Sequence, residues 1–169
     1  MRLLLYLMRH ADAEAKKPGM SDFERELTEI GKKMTQRVAL GLKRMSIEFE
    51  LLGASPFVRA VQTAEIIREV FGIEKEVLKI NELIPGSDFK LLLDVIASFH
   101  VGSLFLVGHE PYLGDFLSWV LGLQRRVEFK KNSVACVEIS SFVQSGANLR
   151  WFIHPEQILS LIEGGTKLV

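Results

Sequence analysis

The sequence predicts an α/β fold with a mostly parallel central sheet, and three observations support this prediction. Short apolar runs of strand length alternate with longer segments of helical periodicity, which is the pattern of strand–helix–strand crossover units. Nearly half of the residues (48%) are apolar and 25% are charged, as in a folded globular chain rather than a disordered one. The length of 169 residues suits one substantial core, so we expect a single domain over residues 1–169.

The first half of the chain contains signals for three strands and two helices. Apolar runs predict strands at residues 3–8, 49–54 and 77–80. Thr28 is a suitable N-cap for a first helix, whose apolar positions recur at helical spacing: Ile30, Met34, Val38, Leu42 and Met45. Ser55 followed by Pro56 predicts the capped start of a second helix, which ends at Gly72.

The second half continues the alternation and then changes character. We expect a helix at residues 89–99, a strand at 104–108 and a helix from Pro111 to Gly122. Two β-like stretches at residues 134–142 and 149–153 and a short helix around 156–162 complete the chain.

Charged and imidazole side chains follow three of these strands. Arg9 and His10 come directly after the first strand, Arg59 lies in the first turn of the helix after the second, and His109 follows the strand at residues 104–108. Ligands of open α/β sheets bind outside the carboxyl ends of the strands, so these four residues predict one anion-binding site. In the loop before the first helix, Asp22 and Arg25 are spaced to form a local ion pair.

The residue types in this predicted site suit phosphoryl transfer. Arginines remain charged and offer paired N–H donors to phosphate oxygens, and a helix N-terminus adds positive potential near Arg59. A neutral histidine can attack phosphorus through one ring nitrogen while the other is held by an acceptor. We expect His10 to be the nucleophile and His109 to donate to the transferring oxygens, with no metal ion or cofactor required.

Three motifs in this order resemble those of the histidine phosphatase superfamily, which has a phosphoglycerate mutase-like fold. They are the segments 8–14 (MRHADAE), 55–64 (SPFVRAVQTA) and 107–111 (VGHEP). The short length and the Gly-His-Glu-Pro form resemble the SixA-type phosphohistidine phosphatase branch. The resemblance implies a three-layer α/β/α sandwich, phosphorylation of His10 during turnover, and a phosphate pocket formed by Arg9, Arg59 and His109.

Two positions need comment against this resemblance. Larger relatives use a glutamate after a later strand to protonate the leaving oxygen, and Glu82 is the nearest positional match. A phosphohistidine leaving group is already labile, so Glu82 is an expected acid for esters only. Where the superfamily usually has glycine after the Arg-His pair, this chain has Ala11, and we expect ordinary backbone geometry there.

The resemblance and the composition together define the expected activity and its alternatives. We expect a metal-independent phosphatase that acts on phosphohistidine in a signalling or carrier protein. A phosphatase or mutase for small phosphoesters and a non-catalytic phosphate-binding module remain alternatives. Acidic and basic residues balance at 21 each, so neither nucleic acid nor a membrane is an expected partner. The single cysteine, Cys136, excludes an internal disulfide and favours a cytoplasmic location.

Overall fold

Strands and helices alternate over most of the chain in the computed structural model, which describes residues 2–163. The strands are β1 (Leu3–Arg9), β2 (Leu51–Ala54), β3 (Leu78–Lys79), β4 (Ser103–Gly108), β5 (Val134–Ile139) and β6 (Ala147–Ile153). The helices are α1 (Glu29–Arg44), α2 (Val58–Phe71), α3 (Phe89–Ser98), α4 (Tyr112–Leu121) and α5 (Pro155–Glu163), with 3₁₀ turns at Asp22–Glu24 and Asn81–Leu83.

The strands form one mixed sheet in the order β3-β2-β4-β1-β5-β6. The pairings of β3 with β2, β2 with β4, and β4 with β1 are parallel, whereas β5 and β6 add to β1 as an antiparallel hairpin. This arrangement confirms the predicted α/β class with a mostly parallel sheet. It also places the carboxyl ends of β1, β2 and β4 side by side at one edge.

Both faces of the sheet are covered by helices, because alternate side chains of the strands point in opposite directions. In β1, Leu3, Leu5 and Leu7 pack with side chains of α3 and α4. On the opposite face, Tyr6 and Met8 pack with side chains of α1, α2 and α5. The fold is therefore the three-layer α/β/α sandwich that the resemblance implied. Within residues 2–163, no helix is long and apolar enough to cross a membrane.

The beginnings of the first two helices test the local sequence signals. Thr28 caps α1 as predicted, since its hydroxyl accepts a hydrogen bond from the main-chain N–H of Gly31. Ile30, expected on the buried face of α1, is instead 73% exposed, because it lies in the first turn on the solvent side. The predicted Ser55 cap is also wrong: α2 begins at Val58, with Phe57 at the N-cap position.

Candidate active site

The four residues predicted for the site converge at the carboxyl edge of the sheet. Arg9 is the last residue of β1 and His10 follows it, Arg59 lies in the first turn of α2, and His109 follows β4. His10, Arg59 and His109 are 8%, 5% and 1% exposed, so they form a nearly buried cluster. The two imidazole rings are 5.0 Å apart between centroids.

The hydrogen bonds of His10 define which of its nitrogens is available for chemistry. Its Nδ1 lies 2.7 Å from the main-chain oxygen of Ala11, which can only accept, so Nδ1 carries the proton. The Nε–H of Arg59 points at Nε2 of His10 over 3.1 Å, which requires a lone pair on Nε2. Both contacts select the neutral tautomer whose Nε2 can act as a nucleophile.

The electrostatic surroundings keep His10 in this neutral form. Burial is the largest influence and, with the charges of Arg59, Arg9 and Arg25, it lowers the pKa of His10 to about 4. The hydrogen bond to Ala11 opposes this shift but does not cancel it. At neutral pH the imidazole of His10 is therefore uncharged, as a nucleophile must be.

Arg59 is held in place by a single residue of the loop before α1. Its Nη1 donates to the main-chain oxygen of Asp22 over 2.6 Å, and its Nη2 donates to the Asp22 carboxylate over 2.9 Å. Asp22 is in turn paired with Arg25 at 2.9 Å, which confirms the predicted ion pair. With Nε directed at His10, three of the five guanidinium N–H groups have partners. Among the described residues the other two have no hydrogen-bonding partner, and they can donate to an anion.

His109 has one ring nitrogen paired and one without a partner. Its Nε2 lies 2.8 Å from the hydroxyl of Ser55. Its Nδ1 is buried and has no hydrogen-bonding partner among the described residues. If Ser55 donates to Nε2, the proton of His109 resides on Nδ1, which can then donate to a transferring oxygen. Burial, followed by the charges of His10 and Arg59, lowers the pKa of His109 to about 3, so this ring is also neutral.

Arg9 is oriented by the segment that precedes β5. Its Nη1 donates to the main-chain oxygen of Phe129 over 2.8 Å. The main-chain N–H of Phe129 donates to the Glu110 carboxylate over 2.5 Å. Phe129 therefore lies between the Arg9 cation and the Glu110 anion. Burial raises the pKa of Glu110, while the hydrogen bond from Phe129 and then the positive charge of Arg9 oppose that rise. These contacts orient the Arg9 guanidinium, whose positive charge contributes to the lowered pKa of His10.

The backbone around Ala11 has the ordinary geometry that the sequence suggested. Ala11 is not among the described residues with positive φ, so alanine is accommodated without strain. Its N–H donates to the hydroxyl of Thr63, which itself donates to the main-chain oxygen of Arg59. Thr63 therefore ties the loop after β1 to the first turns of α2.

Glu82 lies on the same edge of the sheet but is not joined to the cluster. It belongs to the 3₁₀ turn after β3, and its main-chain oxygen accepts a hydrogen bond from the Tyr112 hydroxyl over 2.7 Å. Within the described part of the chain, none of the hydrogen bonds of Arg9, His10 and Arg59 involves Glu82. Its role as an acid stays a prediction.

Several contacts of the site residues were not identified from the sequence. The sequence predicts Ser55 only as a helix cap and Asp22 only as the ion-pair partner of Arg25. Phe57 and Glu110 belong to the sequence motifs, but no contact was predicted for either. The Phe57 ring lies 4.8 Å from that of His109, and the Glu110 carboxylate accepts a hydrogen bond from the N–H of Phe129. The position of Ser55 could have indicated its role, because Ser55 is a polar residue directly after β2 and therefore lies at the same edge of the sheet as His10.

Among residues 2–163, no group of three or more His, Cys, Asp or Glu side chains could hold a metal ion.

Comparison with known proteins identifies relatives of this chain. A family model described as histidine phosphatase superfamily (branch 1) matches residues 5–83. The phosphohistidine phosphatase SixA of Escherichia coli (strain K12) is 26% identical over 154 residues, which cover 89% of this chain and 93% of that protein. An uncharacterized protein of Picosynechococcus sp. is 33% identical over 116 residues, covering 66% of this chain and 69% of the relative.

Solved structures give the same result at the level of the fold. The structure of the protein histidine phosphatase SixA complexed with tungstate has a TM-score of 0.81 at 26% identity, covering 92% of this chain and 99% of that one. A phosphoserine phosphatase of Entamoeba histolytica in complex with phosphoserine shares the fold alone, with a TM-score of 0.67 at 18% identity over 91% of this chain and 98% of that one.

The chain belongs to the histidine phosphatase superfamily and is a phosphatase of that fold. Within the superfamily it is of the SixA type, since the E. coli SixA protein and the tungstate-bound SixA structure each match it over about nine-tenths of both chains.

Proposed function

We propose that this chain dephosphorylates phosphohistidine in a protein through a phosphohistidine intermediate on His10. The observation that supports this proposal best is the state of His10. It is neutral, its Nδ1–H is held by Ala11, and its Nε2 lone pair faces the Arg59 guanidinium. A nucleophile and the positive charge for a phosphoryl group are therefore within one hydrogen bond of each other.

The first step transfers the phosphoryl group to the enzyme. The lone pair on Nε2 of His10 attacks phosphorus, the P–N bond of the substrate breaks, and its electron pair returns to the substrate imidazole. In the second step a water oxygen attacks phosphorus and the P–Nε2 bond breaks. Phosphate leaves with the oxygen of that water, the water proton passes to phosphate or solvent, and neutral His10 is restored.

Fixed positive charge and N–H donors stabilise the charge on the transferring oxygens. The two unused N–H groups of Arg59, the accessible edge of Arg9 and Nδ1 of His109 would surround the oxygens. Because these donors are already held by Asp22, Phe129 and Ser55, little reorganisation is required during the reaction. In this scheme the arginines supply the charge, so the reaction requires neither a metal ion nor a cofactor.

The nature of the leaving group favours phosphohistidine over an ester. An imidazole protonated on its second nitrogen leaves as a neutral molecule and needs no acid from the enzyme. An alkoxide needs a proton, and general acid catalysis of that kind is typically worth about 10²–10⁴-fold. Within residues 2–163, the only carboxyl group that is hydrogen-bonded to His10 or Arg59 is that of Asp22. The hydrogen bonds of Asp22 to Arg25 and Arg59 lower its pKa, so this carboxyl group stays ionised and is unsuited to donate the proton.

The similarity to the SixA protein of E. coli supports the same substrate class. That relative is named a phosphohistidine phosphatase and matches nine-tenths of the chain. The phosphoserine-bound relative shares only the fold. Because its ligand is a small phosphoester, the experiment must distinguish small phosphoesters from phosphohistidine as substrates.

The test compares substrates, enzyme variants and added chelator. The substrates are a histidine-phosphorylated protein, a small sugar or glycerate phosphate, and an aryl phosphate. We expect fastest turnover of the phosphoprotein, no effect of chelator, and an acid-labile, base-stable phosphoenzyme that is absent in His10→Ala. His100→Asn is the matched control, because its side chain is exposed and lies outside the site.

Each alternative has its own outcome. Activity that survives in His10→Ala would contradict the nucleophile, and chelator sensitivity would contradict the metal-independent scheme. Preference for an ester, lost in Glu82→Gln, would identify a small-molecule phosphatase with Glu82 as its acid. No turnover of any substrate would identify a phosphate-binding module.

A further inference from the structure

An exposed aromatic side chain lies at the edge of the candidate active site. Phe23 is the middle residue of the 3₁₀ turn Asp22–Glu24, and 43% of it is exposed. Phe23 lies outside the three motifs of the sequence, and the reaction proposed above does not use it. What distinguishes Phe23 from other exposed apolar residues is its place in a turn whose first residue binds Arg59.

The turn that carries Phe23 is attached directly to the reacting groups. Asp22, the preceding residue, binds two nitrogens of Arg59, and Arg59 donates to His10. Asp22 is also paired with Arg25, whose Nε donates to the main-chain oxygen of Glu14. The position of Phe23 relative to the phosphate site is therefore fixed by charged hydrogen bonds on both sides.

A continuous series of aromatic rings leads from Phe23 into the site. The Phe23 ring packs against Phe57 with centroids 5.2 Å apart, and Phe57 packs against His109 at 4.8 Å. The guanidinium carbon of Arg59 lies 5.0 Å from the Phe57 ring centroid. One side of Phe23 is thus used for packing against Phe57, while the remainder forms apolar surface next to the groups that would hold the phosphoryl.

We propose that the exposed part of Phe23 contacts the planar ring of the leaving group and is a specificity-determining residue. This inference rests on the proposed function, in which that ring is the imidazole of a phosphohistidine. Aromatic rings associate in stacked or edge-to-face pairs, and a cationic ring is attracted further by the face of a phenylalanine. The protonated form of the substrate ring is also the form that leaves as neutral imidazole when the P–N bond breaks.

The contact separates substrates that have a ring from those that lack one. Inorganic phosphoramidate has the same P–N bond without the ring, so it is the reference substrate for a histidine-phosphorylated protein. The measured quantity is the ratio of kcat/KM for the phosphoprotein to kcat/KM for phosphoramidate. An aromatic contact of ordinary strength is expected to change this ratio about two- to tenfold.

The experiment uses three substitutions of Phe23 in the full chain. Phe23→Ala is expected to lower the ratio. Phe23→Leu should also lower it, because leucine retains the apolar volume but not the ring. Phe23→Tyr keeps the ring and should therefore keep the ratio. Leu149→Ala is the matched control, since Leu149 is a similarly exposed apolar residue (48%) on β6. Thermal unfolding of each variant reports whether the fold is retained, and Phe23→Leu preserves the test if the alanine variant fails to fold.

The outcomes distinguish this inference from the proposed function. A ratio that is the same in Phe23→Leu, Phe23→Ala and the wild type would overturn the role of Phe23 and leave the chemistry of His10 intact. An equal loss of the ratio in Phe23→Tyr would also overturn it, because the ring would not be the property that matters. If the wild type cleaves neither P–N substrate, or cleaves them without His10, the proposed function itself is wrong.

Discussion

Lowering the pH from 7 to 5 is expected to destabilise the folded protein through its two site histidines. An unfolded histidine has a pKa of about 6.5, whereas the folded values are about 4 for His10 and about 3 for His109. Between these limits the unfolded chain binds more protons than the folded one, so the free energy of unfolding falls as the pH falls. At pH 5 both imidazoles remain neutral in the fold and are charged in the unfolded chain.

The magnitude follows from the two pKa values of each histidine. A shift of one pKa unit corresponds to about 1.4 kcal/mol, and the window from pH 7 to pH 5 includes only part of the full shift. Each histidine therefore lowers the free energy of unfolding by about 2 kcal/mol between pH 7 and pH 5. Glu110 acts in the opposite direction, since burial raises its pKa. The dependence of the unfolding free energy on pH in the wild type therefore does not isolate the histidines.

The assay is chemical denaturation at pH 7 and pH 5, read as the difference between wild type and a variant. In His10→Gln the loss of stability between these pH values should be smaller than in the wild type by about 2 kcal/mol. Leu149→Ala, which removes an exposed apolar side chain and no titratable group, should retain the wild-type slope. A slope in His10→Gln equal to that of the wild type would refute the argument that His10 is held neutral.

Three further substitutions test contacts around the site. Ser55→Ala removes the hydroxyl bound to the second histidine of the site, and we expect kcat to fall about tenfold, the value of one hydrogen bond; unchanged kcat would show that this ring needs no orientation. Asp22→Ala releases one edge of Arg59 and should lower kcat/KM about tenfold, with Asp22→Asn less affected; higher activity would mean that Asp22 competes with the phosphoryl group. Gly31→Ala would place a methyl group against the main-chain oxygen of Asp12, and thermal unfolding should show a loss of about 1–3 kcal/mol, which a wild-type melting temperature would contradict.

The parts of the fold that were predictable are those with strong local signals. The apolar runs that became β1 and β4 are hydrophobic on both faces, as buried parallel strands must be, and they end in the residues that form the site. The strand-end rule then brings His10 and His109 together without knowledge of any contact. Thr28 was identified because a cap depends only on residues within one helical turn.

The contacts that were missed depend on residues far apart in the chain. Ser55 before a proline has the pattern of a helix cap, but His109, 54 residues later, provides a buried partner for its hydroxyl. Asp22 pairs with its neighbour Arg25 as its spacing suggests, and only the fold reveals that it also binds Arg59, 37 residues away. Local patterns contain no information about such partners, because the partner lies many residues away in the chain.

The strand order also constrains how the protein can fold. β1 and β2 are both early in the sequence, yet they are never paired, because β4 lies between them. Until residues 103–108 have been synthesised, β1 has no neighbour in the sheet, and His10 and Arg59 have no common scaffold. The pairing of β1 with β4 closes a loop of about 100 residues, a long-range step of the kind that slows folding. During synthesis the apolar β1 strand must therefore remain unpaired until most of the chain has emerged, and a fragment that stops before β4 cannot assemble the site.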